Sequence, residues 1–120
     1  MNQLAKDERR RHIRFALTGD PEAKIVDEDG NQLETIFLDV SVEGLGVLVD
    51  PAPKVGSNLS LDIPGSDEKI SLQVMWISES ESMKQLKGID KICRCGLWTN
   101  ERNLDLVNVF SKINGVEIEE

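Results

Sequence analysis

The chain has 120 residues, of which 39% are hydrophobic and 30% charged, and it carries a formal net charge of −8. This length suits a single domain with one core, and the acidic balance excludes the broad basic face that binding to a nucleic-acid duplex requires. No apolar run approaches the ~18 residues that span a bilayer, and the charged start MNQLAKDERRR lacks the apolar stretch of a signal peptide. We therefore predict a cytoplasmic protein that neither binds nucleic acid nor inserts into a membrane.

Basic residues concentrate at the start of the chain. Residues 1–13 are polar and predict a flexible N-terminal arm, and Arg9, Arg10, Arg11 and Arg14 fall within six residues of sequence. The four-residue spacing of Arg10 and Arg14 puts both on one side of either a helix or an extended segment. Two such guanidinium groups can close on one anion, because arginine binds phosphate through paired hydrogen bonds and also stacks on aromatic bases. The alternative is a terminus that serves only solubility.

For residues 14–120 the sequence pattern predicts one β-rich domain. Apolar residues recur with period two, and turn signals follow about every 8–12 residues, which is typical of a small antiparallel sandwich or barrel. The dipeptide Asp-Gly at residues 29–30 favours a hairpin turn. The polar stretch 78–88 predicts a loop. The predicted strands cover residues 23–26, 33–40, 45–49, 58–63, 70–78 and 89–99.

A single helix is predicted to close the chain. Asn100 is a suitable N-cap, with Glu101 in the first turn to complement the helix dipole. From Leu104 to Ile113 the apolar residues recur at helical spacing, and Gly115 is a stop signal. We expect the apolar face of this helix to cover an open edge or end of the barrel.

The segment DVSVEG, residues 39–44, lies where one predicted strand ends and the next begins. Residues two apart in a strand point the same way, so Asp39 and Ser41 are predicted to share a face. A carboxylate can accept hydrogen bonds from the N1–H and N2–H₂ edge of guanine, and a hydroxyl can bond to phosphate or base. Gly44 allows a positive φ and a close approach of the backbone. The alternative is a serine or aspartate turn capped by glycine.

Together these features resemble the PilZ domain family. The resemblance rests on RxxxR, then DxSxxG about 25 residues later, and it continues through a long strand ending in Val74-Met75-Trp76, a strand with Gly96-Leu97-Trp98, and a closing helix. It extends from about residue 8 to residue 113 and implies a small antiparallel six-stranded β-barrel with a C-terminal α-helix. It also implies that the ligand is cyclic di-GMP, a bacterial second messenger with two phosphates and two guanines. By residue-for-residue match, the site is Arg10, Arg14, Asp39, Ser41 and Gly44.

Three further residues are candidate contacts to cyclic di-GMP. Arg9 directly precedes the motif and is predicted to stack on a second ligand molecule, since cyclic di-GMP forms an intercalated dimer. Arg11 is predicted to face either solvent or a phosphate. Trp76 is predicted either to stack on a purine or to belong to the core, because Leu72, Val74 and Trp76 would share one face of a regular strand. For Trp98 the core is the favoured position.

We expect a monomeric receptor rather than an enzyme. The chain offers no nucleophile beside a base and no glycine-rich loop with a lysine for a nucleoside triphosphate. No metal or other cofactor is expected, since Cys93, Cys95 and the single His12 fall short of four zinc ligands. Ligand phosphates are predicted to neutralise the arginines and order the arm over the barrel, and an effector protein in trans would read the new surface.

Two other functions stay open. One is a PilZ-like adaptor that binds protein but no nucleotide, against which the intact motifs count. The other is a small β-barrel that binds single-stranded nucleic acid, which the acidic body and the scarcity of aromatic residues disfavour.

Overall fold

The computed structural model of the chain describes residues 13–67, 69–78, 93–101 and 103–119. Within these ranges the chain forms eight β-strands and one α-helix. In chain order they are β1 (Phe15–Gly19), β2 (Lys24–Val26), β3 (Gln32–Val40), β4 (Gly44–Asp50), β5 (Asn58–Asp62), β6 (Lys69–Ser78), β7 (Cys93–Trp98), α1 (Leu106–Ser111) and β8 (Val116–Glu119).

Six of the strands close into an antiparallel barrel in the order β2-β5-β6-β7-β4-β3, and β3 pairs back onto β2. This confirms the predicted six-stranded antiparallel barrel. The six strands predicted from the sequence are β2 to β7. Residues 89–92 of the last predicted strand lie outside the described residues, as do most of the predicted loop and residues 1–12 of the predicted arm.

Strands β1 and β8 were not predicted. β1 pairs with the end of β3 through Phe15 with Val40 and Ala16 with Asp39, and β8 then pairs with β1 along its whole length. β1 buries only Leu17, and β8 has four residues directly after Gly115, so neither produces a strong sequence pattern. β1 matters for the site because it fixes the backbone beside Asp39 directly after residue 14.

The helix α1 closes one end of the barrel with its buried residues Leu106 and Phe110. The ring of Phe110 lies 5.5 Å from that of Phe37, centroid to centroid. Leu106 and Phe110 form one continuous core with inward side chains of all six barrel strands. This core supplies most of the stabilisation of a domain this small. No helix within the described residues is long and apolar enough to cross a bilayer.

The predicted start of the helix at Asn100 is wrong. The N-cap is Asp105, whose side chain accepts a hydrogen bond from the backbone N–H of Asn108. Before that point the chain is held by the turn between β3 and β4: the Thr99 N–H donates to the carbonyl of Glu43, and the N–H of Leu106 donates to that of Val42. Thr99 and Leu106 are therefore bonded to this turn, and the described residues between them, 100, 101 and 103–105, do not form helix.

Two β-bulges change which residues face outward. In β3 the register shifts between Phe37 and Asp39, and in β6 it shifts between Val74 and Trp76. A bulge inserts one unpaired residue and reverses the alternation beyond it. Val74 is buried in the core, whereas Trp76 is 38% exposed. The prediction that Trp76 shares a face with Leu72 and Val74 is therefore wrong.

Candidate functional site

The pairing register places four residues in one row across the outer face of the barrel. Asp39 of β3 pairs with Gly46 of β4, Gly46 pairs with Gly96 of β7, and Gly96 pairs with Trp76 of β6. We call these four residues the outer row. Because its two central positions are glycines, no side chain rises between Asp39 and Trp76. Each of these two side chains can lie down on the backbone of the neighbouring strand.

Asp39 joins two arginines that come from different parts of the chain. Its carboxylate lies over Gly46, where an added Cβ would stand only 2.5 Å from Oδ1. Oδ1 accepts a hydrogen bond from Nη1 of Arg14 at 2.6 Å, and Oδ2 accepts one from Nη2 of Arg94 at 3.4 Å. The Asp39 side chain is 16% exposed, compared with 38% for Arg14 and 43% for Arg94. The carboxylate thus orients two guanidinium groups on side chains that are themselves exposed.

The indole of Trp76 lies over Gly96, where an added Cβ would overlap its Nε1, Cε2 and Cδ1 atoms. The backbone of β7 therefore forms the floor on which the ring rests. Arg94 lies two residues before Gly96, so its side chain leaves β7 on the same face. Its Cζ lies 5.9 Å from the centroid of the Trp76 ring, within the range of a cation–π contact. Trp76 and Arg94 are both exposed, so one side of this pair is accessible from solvent.

Gly44 and Trp98 form a second contact of this kind. Gly44 pairs with Trp98, and a Cβ at Gly44 would stand 3.2 Å from Cδ1 and Nε1 of the indole. The close approach that Gly44 allows is thus present, whereas Gly44 does not adopt the positive φ that glycine also allows. Trp98 is partly exposed on the outer face, not in the core, because Leu97 next to it points inward.

Ser41 belongs to the turn between β3 and β4. Strand β3 ends at Val40, so strand alternation no longer applies to Ser41, which is 4% exposed. Its backbone N–H donates to the carbonyl of Gly44 at 2.8 Å, and its Oγ accepts from the backbone N–H of Gly44 at 3.0 Å. This is the serine turn considered as the alternative for residues 39–44. The turn fixes where β3 ends and so supports the position of Asp39.

The predicted site residues thus separate into three groups. Arg14, Asp39 and Trp76 come together along one outer face. Ser41 and Gly44 form the adjoining turn. Arg9, Arg10 and Arg11 lie outside the described residues.

Arg94 was missed by the sequence analysis. In CRCGLW its one local signal is a charged residue between two cysteines, which alternation places on the outer face. Its proximity to Asp39 depends on the pairing of β7 with β4 and of β4 with β3.

Comparison with known protein families gives a match over most of the chain. A family model described as the PilZ domain matches residues 8–95 of the chain. Searches of curated proteins and of solved structures found no match. The matched range contains Asp39, Gly46 and Trp76 of the outer row, both arginines that Asp39 joins, and the arginines of the predicted arm, and it stops one residue before Gly96. It ends before α1 and β8.

Proposed function

The chain belongs to the PilZ domain family, and on this basis we propose that it is a receptor that binds cyclic di-GMP and transmits the signal to an effector protein. The observation that carries the proposal is the cluster of Arg14, Asp39, Arg94 and Trp76 on one outer face of the barrel. A cyclic dinucleotide offers phosphates and purine faces within one small molecule. Guanidinium groups bind phosphates, and an exposed indole beside them binds the face of a purine.

Arg14 supplies the anchored half of the proposed phosphate clamp. One of its nitrogens is engaged by Asp39, and a guanidinium carries five N–H donors, so several remain for a phosphate. Arg10 supplies the other half from the arm, with Arg9 and Arg11 beside it. The extra arginine at position 9 would hold a second, intercalated ligand molecule.

Asp39 has two roles in this proposal. It holds Arg14 in place, and its carboxylate retains lone pairs that can accept from N1–H and N2–H₂ of guanine. Adenine presents a different pattern of donors there, which gives a reason for combining an acidic group with arginines in one site. Ser41 and Gly44 contribute by shaping the turn after Asp39.

Signalling is proposed to work by ordering of the arm. Four arginines within six residues repel one another, and ligand phosphates would neutralise them over the barrel. Ordering costs free energy, which the charge-assisted contacts must exceed. Amide hydrogen exchange tests this step: residues 1–13 should become protected when ligand is added. Unchanged exchange at saturating ligand would show that the signal does not pass through the arm.

Thermal unfolding with cyclic di-GMP tests the proposed function itself. A ligand present at 100 times its Kd stabilises the folded state by about 2.7 kcal/mol, which for a domain of this size raises Tm by roughly 5–15 °C. GTP, cyclic di-AMP and a short oligonucleotide serve as controls and should produce no comparable shift. If cyclic di-GMP at millimolar concentration leaves Tm unchanged, the receptor assignment is wrong and the adaptor function takes its place.

A further inference from the structure

We infer that Trp76 and Arg94 form a purine clamp, with Trp76 as its fixed side and Arg94 as its movable side. This inference rests on the proposed function and adds to it a residue, Arg94, and a binding geometry. A guanine of the ligand would enter between the indole and the guanidinium and stack on both. The clamp adjoins Asp39, so a base held there lies beside the carboxylate that can recognise its hydrogen-bonding edge.

The fixed side is set by backbone. Trp76 follows a β-bulge that turns it outward, and its ring rests on Gly96, where even a methyl group would not fit beneath it. The ring is 38% exposed although it is anchored in this way. An exposed, oriented indole presents a flat apolar surface to a purine with little loss of side-chain freedom on binding.

The movable side is held weakly by comparison. Arg94 bonds to Asp39 at 3.4 Å, whereas Arg14 bonds to the other oxygen at 2.6 Å. With its side chain 43% exposed, Arg94 can turn away without leaving a buried charge, and Arg14 keeps the carboxylate paired while it does so. The asymmetry of the two bonds therefore identifies Arg94 as the group that moves.

The spacing suits a purine after a small movement. Stacked planes in contact are separated by about 3.5 Å, so a base between two planes needs them about 7 Å apart. The Arg94 Cζ lies 5.9 Å from the Trp76 centroid, which is the upper limit of its height above the ring, so the guanidinium must move outward by at least about 1 Å. Before binding, Arg94 itself covers the indole face. After binding, it covers the far face of the base and its charge lies near the ligand phosphates.

Calorimetry on Arg94→Ala tests the clamp. We expect Kd for cyclic di-GMP to rise roughly 10–100-fold, the range for loss of a stacking partner, with Tm of the free protein little changed because Arg94 is exposed. Arg94→Lys keeps the charge but lacks the planar group, and it should show most of the same loss. The matched control is Lys24→Ala, which removes an exposed cation from β2, on the side of the barrel opposite β7; its Kd should stay within about twofold of wild type.

Fluorescence provides an independent measurement. Trp98→Phe leaves Trp76 as the single tryptophan of the chain, and its emission should be quenched as cyclic di-GMP saturates. If the wild type binds while Arg94→Ala stays within about twofold of it, or Trp76 emission does not change, the clamp is wrong and the receptor assignment survives. If the wild type does not bind, the receptor assignment and the clamp fail together.

Discussion

Replacing Gly96 by alanine should remove the binding surface for the base without unfolding the barrel. The added Cβ would overlap the Trp76 indole, so the ring must move by at least about 1 Å to restore ordinary contact. It can do so because Trp76 lies on the outer face and is 38% exposed. Displacing the ring from Gly96 costs about 1–2 kcal/mol of apolar burial, and the alanine returns about 0.4–1 kcal/mol through lower entropy of the unfolded chain.

The net destabilisation is therefore about 0–1.5 kcal/mol, or a few degrees in Tm, whereas Kd for cyclic di-GMP should rise about tenfold or more because the indole no longer lies where a base would stack. Calorimetry and thermal unfolding measure the two effects separately. Gly44→Ala is the structural control: its Cβ would stand 3.2 Å from the Trp98 ring, so a shift of tenths of an ångström suffices and Tm should change little. A large fall in Tm for Gly96→Ala, or wild-type affinity with the ring displaced, would refute the reasoning.

Three further predictions concern Ser41 in the turn, Cys95 in the core and Arg14 in the proposed site. Ser41→Ala should destabilise the protein by about 1–3 kcal/mol in urea unfolding, since it leaves the buried N–H of Gly44 without its hydroxyl acceptor. If the variant is as stable as the wild type, the Ser41 hydroxyl does not stabilise the turn. Burial raises the pKa of the Cys95 thiol to about 12 from 9.0, so this thiol in the native protein should resist a thiol reagent at pH 8, and rapid labelling would contradict this. The stability of the fold should also decrease as pH rises from about 9 towards 12, because the thiol ionises in the unfolded chain before it ionises in the folded one. Arg14→Ala should weaken cyclic di-GMP binding by about 1.5–3 kcal/mol, and by less when Asp39 is also replaced.

The barrel was predictable because its six strands alternate or carry continuous apolar runs between clear turn signals. Strand β4 is buried along nearly its whole length, and β5 and β6 bury every second residue at first. The two strands that were missed bury little by themselves. Val116 and Ile118 of β8 are only partly buried, so pairing with β1 rather than apolar burial accounts for its strand conformation.

The site was predictable only in part, because periodicity cannot locate a bulge. Up to Val74 the alternation in β6 holds, and one unpaired residue then sends Trp76 to the opposite face. The motif identified Arg14 and Asp39 by residue type and spacing. Arg94 contacts Asp39 although it lies 55 residues later in the sequence. No local sequence pattern predicts the strand pairing that brings these two residues together.

Arg14, which precedes β1, and Asp39 of β3 form an ion pair. The energetic coupling between these two residues in ligand binding distinguishes the two roles proposed for Asp39. If Asp39 acts only by orienting Arg14, Asp39→Ala in an Arg14→Ala background should leave the affinity for cyclic di-GMP almost unchanged, because no guanidinium remains at that oxygen to orient. If Asp39 also recognises guanine, the second substitution should cost a further 1.5–3 kcal/mol, and the discrimination against cyclic di-AMP should be lost with it.

A double-mutant cycle read by calorimetry measures this coupling. The Arg94 contact is longer and more exposed than the Arg14 contact, so we expect strong coupling with Arg14 and weak coupling with Arg94 when each is paired with Asp39→Ala. The free energy of unfolding should change by no more than about 1 kcal/mol in Arg14→Ala and in Arg94→Ala, since both cations are exposed. Additive losses in every combination would show that the carboxylate and the arginines act on the ligand independently, and that the ion pair is not what assembles the site.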